Sequence, residues 1–215
     1  MIVPTTPVQP APILAPVGVV SSAPATIATP SHTTLKVRSE QLNVLENHRA
    51  SVMGTLLEGG HPAQPGKAVT LQMLGIHGWR TLALAHTASR GRFRLTYVPQ
   101  SLGSRLLRLH FSGSAFASSA RRRLGRLNVF RLAGASWYGG GGNLACGGEL
   151  TSSTLGVANK TLPCGTLVTL RYAGHTVRVP VVDRGPYVEG REFDLTEATK
   201  RALGFGDIGQ IWSTG

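Results

Sequence analysis

The chain has 215 residues, with 22 Lys+Arg against 10 Asp+Glu, a formal charge of +12 and a sequence pI near 11.0. With 41% hydrophobic and 15% charged residues, 27 Gly and 13 Pro, it is neither collagen-like nor a charge-rich disordered chain. A loop-rich, β-leaning protein of one large or two small domains is expected.

The charge is unevenly placed. Residues 1–134 hold 15 Lys+Arg and 3 Asp+Glu, whereas residues 135–215 hold 7 of each. The whole excess therefore lies in the first part, which predicts two working units, one touching something acidic and one doing something else.

Residues 1–34 contain no Lys, Arg, Asp or Glu and carry Pro4, Pro7, Pro10, Pro12, Pro16, Pro24 and Pro30, a spacing that no helix survives. Ile13 to Ala28 is apolar and ends in small residues, as the tail of a secretory signal does, but the positively charged start is missing. The segment is expected to be a flexible leader, or a signal whose start lies upstream. No unbroken apolar run reaches the ~18 residues that a membrane-spanning helix needs.

From Thr34 to Phe130, apolar residues alternate in short runs separated by Gly, Pro, Asn and Ser, which predicts strands. Val52, Gly54 and Leu56 share one face, as do Val69, Leu71 and Met73. Leu82 with Leu84, Phe93 with Leu95, and Leu107 with Leu109 continue the series. Arg92, Arg94 and Arg108 fall between them and should project outward. About seven short strands in about 100 residues predict an immunoglobulin-like β-sandwich over residues 35–134. Arg121, Arg122, Arg123 and Arg126 add a basic cluster, and such patches bind phosphates whatever carries them. The chain has no helix-turn-helix, zinc-finger or aromatic-stacking motif, so a nucleic-acid partner is not expected.

Cys146 and Cys164 are the two cysteines, and their spacing is not that of a metal site. They could be buried thiols, or one could be reactive; a disulfide is the expected state, which implies an oxidising, extracytoplasmic setting. Val168, Leu170 and Tyr172 alternate, Ala173-Gly174 suits a hairpin turn, and Val177, Val179 and Val181 alternate back. That strand delivers Asp183 to its end, before the turn at Gly185 and Pro186. Thr196 can cap a short helix that carries Lys200 and Arg201 in its last turn and stops at Gly204.

Four collinear blocks carry a resemblance: ASWYGGGG at 135–142, CGGELTSSTLGVANKTLPCGT at 146–166, VVDRGPYVEGREFDL at 181–195 and DLTEATKRALGFG at 194–206. Together they resemble the rare lipoprotein A family. The resemblance implies a six-stranded double-psi β-barrel with a short helix over residues 135–215, and a lytic transglycosylase that cleaves peptidoglycan glycan strands to 1,6-anhydromuramic ends. In such a reaction the 6-hydroxyl of the muramic sugar attacks its own anomeric carbon, so one carboxyl can both give and take back the proton.

Asp183 lies in the Asp-Arg-Gly-Pro motif where the family places a catalytic aspartate, and is the candidate acid/base. It could instead cap the turn or pair with Arg184 or Arg191. Glu149 is a second candidate carboxylate, to hold or polarise the sugar, or is simply exposed. Asn159, Tyr138, Arg184 and Asp194 are candidate substrate-binding residues; Asp194 could equally fix the loop after Arg191, and Trp137 with Tyr138 could be core. His175 is expected to be an exposed hairpin residue. The sequence departs from the family at Asn159, where a histidine usually stands, and asparagine cannot titrate near neutral pH or carry a positive charge.

The expected protein is thus secreted or cell-wall associated, with a flexible leader (1–34), a basic sandwich (35–134) and a barrel (135–215). No cofactor or metal is expected. Its expected partners are peptidoglycan glycan strands and, through the basic unit, anionic wall polymers, with no membrane span. The competing expectation is a non-catalytic, expansin-like module that grips or loosens wall glycan without cutting it. A secreted inhibitor or signalling barrel is a third.

Overall fold

The computed structural model describes Met1 and residues 29–215; nearly all of the expected leader lies outside the described residues. In chain order the strands are β1 (Thr33–Gln41), β2 (Asn43–Leu45), β3 (Ala50–Glu58), β4 (His61–Pro62), β5 (Ala68–Gly75), β6 (Gly78–His86), β7 (Arg92–Tyr97), β8 (Gly103–Phe111) and β9 (Ala120–Tyr138). They are followed by β10 (Val157–Ala158), β11 (Leu167–Tyr172), β12 (His175–Asp183), β13 (Phe193–Thr196), the helix α1 (Glu197–Leu203) and β14 (Gly209–Ser213). The protein is mainly β.

Two sheets enclose the first core. One pairs β3 with β1, β4 and β7; the other runs β6-β5-β8-β9, with β2 parallel to β9. Period-two alternation puts Val52 and Leu56, Val69 and Leu71, Phe93 and Leu95, and Leu107 and Leu109 on the facing sides. What the structure shows of the expected immunoglobulin-like sandwich is this pair of packed sheets. Gly54 is needed there, because a Cβ would sit 2.5 Å from the Phe93 ring.

Two expectations in this unit need correction. Leu84 is 57% exposed rather than buried beside Leu82. Leu71 pairs with Ala83 and Gln72 with Thr81, so Leu82 is the extra residue of a β-bulge and the facing side passes to Ala83 and Ala85. Arg108 does not simply point to water: its guanidinium lies 4.2 Å from the Trp79 ring centroid and donates to Gln72 Oε1 at 2.8 Å.

The second core lies inside a closed six-stranded barrel. Strand order β13-β10-β12-β11-β14-β9 returns to β13 through the β9–β13 pairing, with β10–β12 and β9–β13 parallel and the other four pairs antiparallel. This is the double-psi β-barrel. Val168, Leu170, Val179, Val181, Phe193, Leu195 and Ile211 fill it. The β11–β12 hairpin turns at Ala173 (φ 45°) and Gly174 (φ 92°), as a two-residue turn with both φ positive requires. Thr196 caps α1 by accepting from Thr199 N, and Gly204 ends it at φ 64°.

The sequence-based boundary at 134/135 falls inside β9. That strand pairs with β8 over Ala120–Val129, with β14 over Arg131–Ala135 and with β13 over Ala135–Tyr138, so one 19-residue strand belongs to both units. Phe130, fully buried, sits between the cores with its ring 5.7 Å from that of Trp212.

Candidate active site at the barrel rim

Strand β12 feeds Val179 and Val181 into the barrel and ends at Asp183, which is therefore held at the rim by the alternation that fills the core. Neighbouring backbone pins it. Asn159 N donates to the Asp183 carbonyl at 3.1 Å, and Ala145 N and Arg184 N both donate to Oδ1, at 2.9 and 2.8 Å. Two backbone donors thus fix Oδ1, and neither reaches Oδ2.

Two further candidates come to this rim from adjacent strands. Asp194 on β13 accepts from Ser136 Oγ at 2.7 Å, and its backbone pairs with Ala158 and Ser136. Tyr138 at the end of β9 has a buried hydroxyl that faces the Asp183 carboxylate. Burial pushes its pKa well above the usual phenol value, and the carboxylates of Asp183 and then Asp194 push it further.

Glu149 is exposed on a loop outside this cluster, and its carboxylate makes no ion pair among the described residues. The loop itself is anchored beside Asp183. Cys146 N donates to the Val182 carbonyl at 3.2 Å, Leu150 N to Gly142 O at 2.8 Å, and Cys146 is disulfide-bonded to Cys164.

Arg184 and Asn159 are engaged with the protein itself. The Arg184 guanidinium donates to the Asn159 and Leu162 carbonyls at 3.0 and 2.7 Å and lies 3.0 Å from Cys164 Sγ. Asn159 is 8% exposed; its Oδ1 accepts from Thr161 N and Leu162 N, and its Nδ2 donates to the Glu192 carbonyl. Both side chains brace the turn that carries Cys164, and both were candidates for sugar contact.

Other expectations resolve more simply. His175 is exposed at the hairpin. Trp137 is 37% exposed, donates from Nε1 to Asp207 Oδ1 at 2.8 Å, and lies under Lys200 Nζ at 3.8 Å from its ring, so it ties β9 to the segment around α1. Sequence reasoning missed Tyr187, which is 80% exposed four residues after Asp183. An aromatic directly following Gly185-Pro186 was the available signal, because a turn at the rim leaves the next side chain facing solvent. Among the described residues no group of three or more His, Cys, Asp and Glu is gathered as for a metal ion, and no helix is long and apolar enough to cross a membrane.

Residues 132–212 match the family model described as "Lytic transglycolase". Two curated proteins named "Probable endolytic peptidoglycan transglycosylase RlpA" are similar to part of the chain. The one from Aquifex aeolicus (strain VF5) is 44% identical over 75 residues, 33% of each chain. The one from Synechocystis sp. (strain ATCC 27184 / PCC 6803 / Kazusa) is 36% identical over 107 residues, 43% of this chain and 33% of that one. The aligned region thus spans about a third of the length of these relatives. The solved structure of the Streptomyces papain inhibitor aligns with 39% of this chain and 91% of its own at 22% identity, but with a TM-score of 0.33. That likeness is too weak to bear on fold or function. Residues 132–212 form an RlpA-like double-psi β-barrel.

Proposed function

We propose that this RlpA-like barrel is an endolytic peptidoglycan lytic transglycosylase with Asp183 as its general acid/base. The observation that carries the reading is how the carboxyl group is held: Oδ1 accepts from both Ala145 N and Arg184 N, which leaves Oδ2 free of backbone donors at the end of β12. A group that gives a proton and recovers it must keep one position throughout, and two backbone donors provide that.

In the proposed reaction the Asp183 carboxyl protonates the glycosidic oxygen, and the bond from that oxygen to the anomeric carbon of the muramic sugar breaks. The 6-hydroxyl of the same sugar then attacks the anomeric carbon, and its proton returns to Asp183. No water is consumed and the enzyme ends as it began. The Asp194 carboxylate offsets the positive charge that develops on the sugar ring, the buried Tyr138 hydroxyl supports the Asp183 and Asp194 carboxyl groups from behind, and Glu149, exposed outside this cluster, takes no part in the step. Asn159 and Arg184 act through the turn they brace.

The same reading places the protein outside the cytoplasm, where the Cys146–Cys164 bond persists and the substrate is found. The basic first unit attaches it to anionic wall polymers, and that attachment weakens as salt rises. A non-catalytic, wall-loosening module is the second reading, favoured by the neutral Asn159 at the family's histidine position. The two separate on one comparison, in which wild type and Asp183→Asn are each incubated with purified wall. Soluble glycan released by wild type alone, with equal sedimentation of both on wall, supports the enzyme. Equal sedimentation without release supports the binding module.

A further inference from the structure

A cluster of cations spans the seam between the units without a counterion. Arg105 on β8 and Arg126 on β9 each direct an Nη1 at the Ser104 carbonyl, at 3.4 and 3.2 Å. Two guanidiniums converging on one oxygen repel each other. Arg178 on barrel strand β12 is exposed and makes no side-chain hydrogen bond among the described residues. It pairs with Thr169 on β11, the barrel strand that contacts β8, and its pKa is lowered by burial and then by Arg126 and Arg105.

Among the described residues no carboxylate forms an ion pair with this group. The ion pairs among the described residues are Lys67–Glu58, Arg131–Glu192, Lys200–Asp207 and Arg201–Glu197. Residues 2–28 contain no Asp or Glu at all. Beside the seam a cavity of about 410 Å³ is lined by Arg105 again, together with Arg80, Gln100, Ser101 and Tyr97. Unpaired arginines held on strands, with side-chain amide and hydroxyl donors between them, suit an anion that arginine can grip with two parallel hydrogen bonds. Because β9 runs unbroken through both units, the seam keeps its geometry.

We propose that Arg80, Arg105, Arg126 and Arg178 form a binding site for a phosphodiester-linked wall polymer, one phosphate lying at the seam and a neighbouring one in the Arg80–Arg105 cavity. A polymer with one negative charge per repeat matches cations spread from the cavity, through Arg105 and Arg126, to barrel strand β12. Nucleic acid fits less well, since the aromatic ring lining the cavity, Tyr97, is half-buried and offers no stacking platform. The site deepens the attachment reading above and rests on it, independently of cleavage at Asp183.

The test uses the full chain and fluorescently labelled poly(glycerol phosphate), with binding followed by anisotropy across a salt series. The triple variant Arg105→Gln/Arg126→Gln/Arg178→Gln should bind about tenfold more weakly or worse, with a shallower salt dependence, whereas the charge-matched Arg38→Gln/Arg92→Gln/Arg94→Gln on the opposite sheet should lose less than about threefold. The single variant Arg178→Gln breaks no hydrogen bond, so it should melt with wild type and still bind about threefold more weakly. Equal losses in the two triples, or an Arg178→Gln variant that binds like wild type, would overturn the site while leaving attachment by bulk charge. Failure of wild type to bind the polymer would overturn both site and attachment. Tighter, seam-dependent binding of duplex DNA would overturn the choice of polymer.

Discussion

The backbone N–H of Ala145 donates to Oδ1 of Asp183 at 2.9 Å, joining residues 38 apart in sequence. Ala145 precedes Cys146, whose bond to Cys164 closes the loop that presents this donor. The candidate acid is therefore positioned in part through a disulfide.

Reduction should accordingly affect activity as well as stability. Closing a loop of this length stabilises by about 3 kcal/mol in the chain-entropy model. Cys146→Ser/Cys164→Ser should show that loss in chemical denaturation. It should also release glycan more slowly than wild type under conditions where both remain folded. Unchanged release by the folded variant would mean that the Ala145 donor is dispensable.

Asn159 is predicted to be a structural residue first. Its Oδ1 accepts two backbone N–H groups and its Nδ2 reaches the Glu192 carbonyl, so Asn159→Ala removes three hydrogen bonds at about 0.5–1.5 kcal/mol each. A neutral histidine offers one acceptor where the asparagine oxygen serves two donors. Asn159→His should therefore lower the melting temperature and bring no gain in cleavage rate. A faster His variant would show that a titrating group is missing from this rim.

Tyr138 gives a pH dependence of definite sign. Its folded pKa is raised above the unfolded value near ~10, so its contribution is fully present below that pH. As pH climbs further, the unfolded chain loses a proton that the folded chain keeps, and stability falls. Denaturation midpoints measured on both sides of pH ~10 should fall more steeply for wild type than for Tyr138→Phe. Parallel curves would remove Tyr138 from the account.

Gly156 allows the approach of β12. A Cβ there would sit 2.4 and 2.7 Å from the two methyls of Val182, the residue before Asp183. Gly156→Ala should destabilise by about 1–3 kcal/mol through overpacking, and should reduce glycan release beyond what the lost folded fraction explains. Calorimetry together with release assays separates the two effects.

What could be read from the sequence was local. The Ala173-Gly174 turn, the Thr196 cap with its Gly204 stop, and Asp183 at a strand end each follow from a few adjacent residues. The roles of Asn159 and Arg184 could not be read, because their partners are backbone groups of a turn that exists only once the barrel closes. Leu84 was misplaced because one bulge in β6 reverses the alternation beyond it. The junction was hidden for another reason. Residues 126–138 carry no proline and no turn pair, so nothing marks where β9 leaves the sandwich, and the Arg105–Arg126–Arg178 seam arises only from β9 belonging to both units.

The central claim is that Asp183 cleaves glycan with return of the proton and no water. The direct measurement is mass spectrometry of the ends formed when the full chain is incubated with glycan strands stripped of peptides. Wild type should yield 1,6-anhydromuramic ends and Asp183→Asn should yield fewer by about 10²–10⁴-fold, the usual weight of a general acid/base. Hydrolysed reducing ends, or anhydro ends formed equally by Asp183→Asn, would contradict it.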